Sequence, residues 1–347
     1  HLLCFSQTRS GFLNALRKKV EIPNLHKFGK SLNFEVSSLL ITDMCHRKVL
    51  ASLAVSSVPL SPRQSRAVIT RSVWSSNLDQ EFRLLRSVID LYPLISMDTE
   101  FPGVVIGSDP GDPFRDGADT LYSVLKANVD RLHLIQIGLT LSDHTGDLPN
   151  LGTDQLFIWE FNFKDFDVVR DDFALDSIEL LRHQGINFEK NRKFGIDSFR
   201  FAELMMSSGL VCDPNVNWVT FHSAYDFGYL VKLLTHRDLP EDLDEFLRVV
   251  MVFFGDKVFD VKHLLKFCSN LHGGLEGICR SMKVDRLIGK SHQAGSDSLL
   301  TLHAFQNIIE LYFEKAEGFV KYGGVLYGLE VRYNNNKALS QTVYCMN

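Results

Sequence analysis

The sequence has no run of 18 or more apolar residues, and therefore no segment suited to crossing a membrane as a helix. It has no Cys-x-x-Cys pair either: six cysteines are scattered at 4, 45, 212, 268, 279 and 345. That spacing argues against a structural zinc site or a disulfide framework and for buried free thiols in a reducing compartment. A basic excess is missing too. Residues 1–67 hold 10 Lys+Arg against 3 Asp+Glu, but the remainder holds 27 against 39. Proteins that grip long nucleic acid usually carry a basic face, because counterion release drives that binding. The acidic body leaves two readings: nucleic acid is not the ligand, or only a short stretch of it is held. Metal ions and partner proteins are then the sources of the missing positive charge.

What is present is an ordinary globular composition, 45% hydrophobic and 23% charged over 347 residues. The chain starts at His1, which reads as a truncated or conceptually translated start. Residues 1–67 are rich in Ser and basic residues and show no sustained periodicity. They read as a disordered or artefactual N-terminal extension, with an organelle-targeting segment as the alternative. Organisation begins near residue 70. Leu78, Phe82, Leu85 and Ile89 share one helical face over 77–91, with Ser76 or Asn77 as N-cap. Residues 94–101 read as a buried strand, and the segments "RLHLIQIGLTL" and "QLFIWEFNF" alternate as half-buried strands. Their short spacing predicts antiparallel neighbours. Beyond them, helices are expected over roughly 172–183, 196–208, 225–236, 240–254, 260–270, 275–283 and 294–314, interrupted by one short strand, "WVTFH" at 218–222. Strands first, then strand and helices alternating, predict an α/β fold with a mixed β-sheet flanked by helices. No Pro/Gly-rich linker divides 70–330, so one domain over 68–330 and a C-terminal tail over 331–347 are expected.

Two acids interrupt the first of these strands. "SMDTEFPG" carries Asp98 and Glu100 at i and i+2, which point to the same face. Two carboxylates side by side at a core edge repel one another, and burying them uncompensated costs several kcal/mol. Hard divalent cations with oxygen ligands remove both problems. A second Asp-x-Glu, Asp79 and Glu81, falls on the polar side of the first helix, where a solvated face accounts for it. Asp226 stands in the first turn after the strand "WVTFH", a junction where α/β sheets present functional residues but where an acid also suits a helix N-terminus. In "HQAGSDSLLTLHAF", His292 precedes a helix and Asp297 lies inside it. Each piece alone is modest. Together they supply four carboxylates for two metal ions and one imidazole for proton abstraction, the parts needed for an in-line phosphodiester displacement.

This order of residues resembles the DEDDh exonucleases, which have a ribonuclease H-like fold. The segments "MDTEFPGVV", "IQIGLT", "DSIELL", "FAELMMSSG", "FHSAYDFGYL", "FDVKHLLKFC", "GKSHQAGSDSLLT" and "YGGVLYGL" resemble, more narrowly, the Caf/Pop deadenylases, the nuclease subunits of the Ccr–Not complex. The likeness runs from about Val68 to Leu329. It implies that Asp98, Glu100, Asp226 and Asp297 are ligands of two divalent ions, Mg²⁺ or Mn²⁺, and that His292 is the base. It further implies 3′→5′ removal of adenylates from mRNA poly(A) tails with release of 5′-AMP, through no covalent intermediate. The implied partners are the poly(A) 3′ end, the Not scaffold subunit and the leucine-rich-repeat Ccr-type nuclease, with no membrane. The implied location is cytoplasm and nucleus.

The chain departs from the family pattern at two places. Ile106, Gly107 and Ser108 follow "FPGVV" where the family usually has Arg-Pro or a similar basic residue, and Asp109, Asp112, Asp116 and Asp119 crowd the next turn. In a loop bordering an RNA path, such acidity weakens binding. Ala224 stands where the family typically has Gly. Two alternatives to a poly(A) nuclease stay open at this level: a catalytically weak scaffold or adaptor of the same complex, and an exonuclease on other single-stranded nucleic acid.

Overall fold

A computed structural model of the chain describes residues 66–107, 117–313 and 318–330. The N-terminal extension (Arg66 and Ala67 apart), the tail over 331–347 and positions 108–116 of the acidic loop lie outside the described residues.

Six strands form one mixed sheet: β1 (Val68–Val73), β2 (Leu94–Glu100), β3 (Gln136–Ser142), β4 (Leu156–Asn162), β5 (Asn217–Thr220) and β6 (Val258–Asp260), in the order β1-β4-β3-β2-β5-β6. The β2–β3 and β3–β4 pairs are antiparallel, as their spacing predicts. The β1–β4, β2–β5 and β5–β6 pairs are parallel. Ten α-helices are described: α1 (Leu78–Val88), α2 (Ala118–Arg131), α3 (Leu175–Gln184), α4 (Phe188–Phe194), α5 (Ser198–Met206), α6 (Ala224–Thr235), α7 (Leu243–Phe254), α8 (Val261–Leu264), α9 (Leu275–Met282) and α10 (Ala294–Tyr312).

Alternation along the central strands sorts residues between two cores. Ile95 and Met97 of β2, with Ile137, Leu139 and Leu141 of β3, join the main cluster that also holds residues of α1, α2, α5, α6 and α7. Side chains of the other parity, Ser96, Asp98 and Glu100, face the side of the sheet covered by α10. Helix α10 is anchored there by two apolar sets. Leu299 and Leu302 pack with Leu148 and Ile158, and Leu300, Phe305 and Ile308 pack with Val219 and Phe259.

Its N-terminal end comes closer to the sheet than ordinary side chains permit. Gly138 of β3 pairs with Asp98 of β2, and a Cβ at Gly138 would lie 1.8 Å from the carbonyl oxygen of Ala294. Backbone therefore meets backbone. One turn on, Thr140 and Ser298 share a buried hydrogen bond of 2.8 Å. This contact places Asp297 beside the acids of β2.

Several elements differ from the sequence expectation. Helix α2 was not foreseen, because its buried positions include Asn128, whose side chain accepts from the backbone N–H of Val105 and Ile106 and donates to the carbonyl of Ile106. Asn128 thereby fixes the chain just after β2. Helix α4 and strands β1 and β6 were also missed, and the helix expected over 260–270 is one α-turn followed by a 3₁₀ turn at Leu265–Phe267. Strand β5 stops at Thr220, short of the predicted 222. Glu81 is not on a solvated face. It is 3% exposed, accepts from Arg71 Nε and Nη2 at 2.6 and 2.9 Å, and accepts from Trp159 Nε1 at 3.1 Å. Burial of its charge is offset by a two-pronged guanidinium, which helix periodicity does not reveal. Asp79 is exposed, as expected, and pairs with Arg200.

Gly138→Ala forces α10 away from β3 and is expected to cost more than about 2 kcal/mol in denaturant unfolding. An unchanged unfolding midpoint would mean that the helix does not rest on the strand in this way.

Candidate metal centre

All five candidate residues stand at the carboxyl end of β2 or on the elements beside it. Asp98 and Glu100 are the last acids of β2. Asp226 lies in the first turn of α6, which follows β5, the parallel neighbour of β2. Between the two strand acids, Thr99 faces the other side of the sheet and donates to Asp226 Oδ1 at 2.7 Å. A side chain of the strand thus orients the acid of the helix. Asp297 lies in the first turn of α10, and its Oδ2 accepts from the backbone N–H of His292 at 2.7 Å. That bond helps hold His292 in a left-handed conformation, φ +59°, which costs a residue with a side chain of its own about 1–3 kcal/mol. The imidazole is exposed while the carboxylates are sheltered.

Ligand atoms of Glu100, His292 and Asp297 fall within 4.8 Å of one another, the separation expected of groups around one metal ion. Asp98 and Asp226 lie outside that group of three, yet their charges reach it. Burial holds the Asp98 carboxyl well above the usual carboxylate range, and the charges of Asp297, Glu100 and Asp226 push it further. Glu100 is raised by burial and then by Asp297 and Asp226. Burial pushes Asp226 up to about 7, although its bond from Thr99 pulls the other way. Asp297 is raised by burial and pulled back by Arg286.

Two further residues belong to this centre and were not singled out in the sequence. Arg286 donates to Asp297 Oδ1 at 2.6 Å and also pairs with Glu276. Glu160 of β4 stands in the same cross-sheet row as Asp98, separated from it by Gly138, and its charge acts on Glu100. Its carboxylate accepts from the backbone N–H of Gly295 at the start of α10. Glu160 lies far from the acids in sequence and is brought in by the sheet register, whereas Arg286 reaches Asp297 from the segment just before α10.

The donor set fits divalent cations. Four sheltered carboxylates face one another, and Arg286 is the guanidinium bonded to one of them, Asp297. Carboxylate oxygens suit Mg²⁺ and Mn²⁺.

A six-stranded mixed sheet flanked by helices, with acids at the end of a central strand, an acid on each of two flanking helices and a histidine just before the second, defines a ribonuclease H-like fold with a candidate metal centre. Residues 73–203 match the model of the CAF1 family ribonucleases. The probable CCR4-associated factor 1 homolog 7 of Arabidopsis thaliana is 53% identical over 262 residues, which are 75% of this chain and 93% of that protein. Poly(A) ribonuclease pop2 of Schizosaccharomyces pombe is 43% identical over 275 residues, covering 78% of this chain and 79% of that one. The chain belongs to the CAF1 ribonuclease family. Among solved structures, S. pombe Pop2p in its Mg²⁺- and Mn²⁺-bound form superposes with a TM-score of 0.69 at 44% identity, over 75% of this chain and 99% of that one. The yeast CAF1 crystallised with the NOT1 MIF4G domain gives 0.63 at 33% identity, over 78% and 100%.

The raised carboxyls set a pH dependence. With pKa values above their unfolded ones, these groups bind more protons in the fold than in the unfolded chain. The metal-free protein therefore loses stability as pH rises from the ordinary aspartate value near 4 toward about 7. A metal ion needs the same groups deprotonated, so the rise in Tm on adding Mn²⁺ is expected to grow between about pH 5 and pH 8. A Tm rise independent of pH would contradict this assignment.

Proposed function

We propose that this chain is a 3′→5′ exoribonuclease that shortens poly(A) tails by metal-dependent hydrolysis, releasing 5′-AMP as the nuclease subunit of a Ccr–Not assembly in cytoplasm and nucleus. One observation carries the chemistry: four carboxylates and an imidazole gathered at the end of β2. The preference for adenylate rests on the relatives, one of them a poly(A) ribonuclease by name, since carboxylates select no base. Association with a Not scaffold is supported by the NOT1 complex of the yeast homologue. A leucine-rich-repeat Ccr-type partner rests on the sequence resemblance.

In this reading Asp98, Glu100, Asp226 and Asp297 hold two Mg²⁺ or Mn²⁺ ions. When bound, such ions offset the charge that develops on the attacking and departing oxygens and acidify a water. The protein's own groups do the rest. Thr99 holds Asp226 in place, and the α10–β3 contact holds Asp297. The exposed His292 ring accepts the proton of the attacking water. The water oxygen bonds to phosphorus, the bond to the 3′ oxygen of the penultimate nucleotide breaks, that oxygen takes up a proton from solvent to leave a 3′-hydroxyl, and the phosphate departs with the terminal nucleoside as 5′-AMP. The sheltered acids stay rigid on strand and helix ends while the imidazole meets solvent, a division suited to fixed ligands and a mobile proton.

A 5′-labelled RNA ending in a run of adenylates, incubated with Mg²⁺ or Mn²⁺, is expected to give a ladder shortening from the 3′ end and stalling at other bases. EDTA and Asp98→Ala both abolish the ladder. His292→Ala lowers the rate by about 10²–10⁴-fold. No shortening by folded protein with either metal would move the assignment to an adaptor subunit, and a change below about threefold would remove His292 from the chemistry.

A further inference from the structure

Asp260, the last residue of β6, is 0% exposed and forms no salt bridge among the described residues; five hydrogen bonds surround its carboxylate instead. Oδ1 accepts from the backbone N–H of His222 at 2.8 Å and of Lys262 at 2.9 Å. Oδ2 accepts from the N–H of Ser223 at 3.1 Å, from Ser223 Oγ at 3.2 Å and from the N–H of Tyr327 at 2.9 Å. Burying a carboxylate is costly unless donors surround it, and here they converge from three separate segments.

The segment that donates most of these bonds is the three-residue turn Phe221–Ser223 between β5 and α6. Asp260 pairs with Thr220 in the sheet register, so its side chain stands where β5 ends. Within the turn His222 adopts φ +60°, a conformation unfavourable for any residue but glycine. Ser223 is the N-cap of α6, yet its side chain does not cap that helix; its hydroxyl donates to Asp260. The acid three residues further on is Asp226. We infer that Asp260 is a positioning residue for the metal centre: it holds the strained β5–α6 turn and thereby fixes the backbone from which Asp226 reaches the ions. Thr99 sets the side chain of Asp226, and Asp260 sets its main chain. This inference rests on the assignment of Asp226 as a metal ligand.

The test is Mn²⁺ affinity, measured by titration calorimetry on wild type, Asp260→Asn, Asp226→Asn, the double variant and Ser223→Ala, with folding followed by circular dichroism. Asp260→Asn turns an N–H toward donors and is expected to weaken Mn²⁺ binding about tenfold or more, the range seen when a group supporting a metal ligand is removed. Because it acts through Asp226, the double variant binds no more weakly than Asp226→Asn alone, within about twofold. Ser223→Ala, which removes one bond and leaves the charge, weakens binding in the same direction by about two- to threefold. It decides the matter if Asp260→Asn does not fold. Folded Asp260→Asn at wild-type affinity, losses that multiply in the double variant, or Ser223→Ala at wild-type affinity with Asp260→Asn unfolded would each overturn the inference. If Asp226→Asn itself leaves Mn²⁺ binding unchanged, the metal-ligand assignment fails, and this inference falls with it.

Discussion

Mutual repulsion among sheltered carboxylates is the constraint around which this molecule is arranged. Burial raises the carboxyls of Asp98 and Glu100 above the usual carboxylate range, and the charges of their neighbours Asp226 and Asp297 push them further. A fold that sought only stability would replace such a group with apolar residues of similar volume, often at no cost. The acids make physical sense as a receptor for divalent charge. Arg286, bonded to Asp297, offsets part of the repulsion there and also pulls the Asp98 carboxyl back down.

Keeping like charges together requires supports that cannot relax. Three are visible. The backbone contact of α10 on Gly138 admits no side chain and sets the distance of Asp297 from β2. The hydroxyl of Thr99 ties α6 to the strand. The carboxylate of Asp260 ties the turn before α6 to β6 and to the C-terminal segment at Tyr327. Each joins elements distant in sequence, and each is a polar or glycine contact at the rim of a large apolar core.

That distribution explains how much was legible in the sequence. Asp98 and Glu100 could be read because strand periodicity puts i and i+2 on one face, and an acid pair inside an apolar run is conspicuous. His292 and Asp297 share one short segment. The mixed sheet and the antiparallel order of its centre followed from strand patterning and spacing. Glu81 was misread because its partner Arg71 lies on a strand the sequence did not announce: β1 runs beside β4 with an unremarkable "VITRSV" pattern. Helix α2 hid because Asn128, a polar residue, occupies a fully buried position to bond the chain after β2. Arg286, Glu160 and Asp260 acquire meaning only through tertiary contacts, which no local period encodes. Ala224, where the resemblance predicts glycine, is accommodated as a buried first residue of α6.

The central claim is that the acids converge because two divalent ions sit among them. Electron paramagnetic resonance of the protein titrated with Mn²⁺ tests this most directly. Ions about 3.5–4 Å apart couple magnetically, so the account predicts two ions per chain and a spin-coupled spectrum on filling the second site. The coupling should vanish in Asp98→Asn. A single uncoupled Mn²⁺ per chain at saturation, or binding indifferent to that substitution, would contradict it.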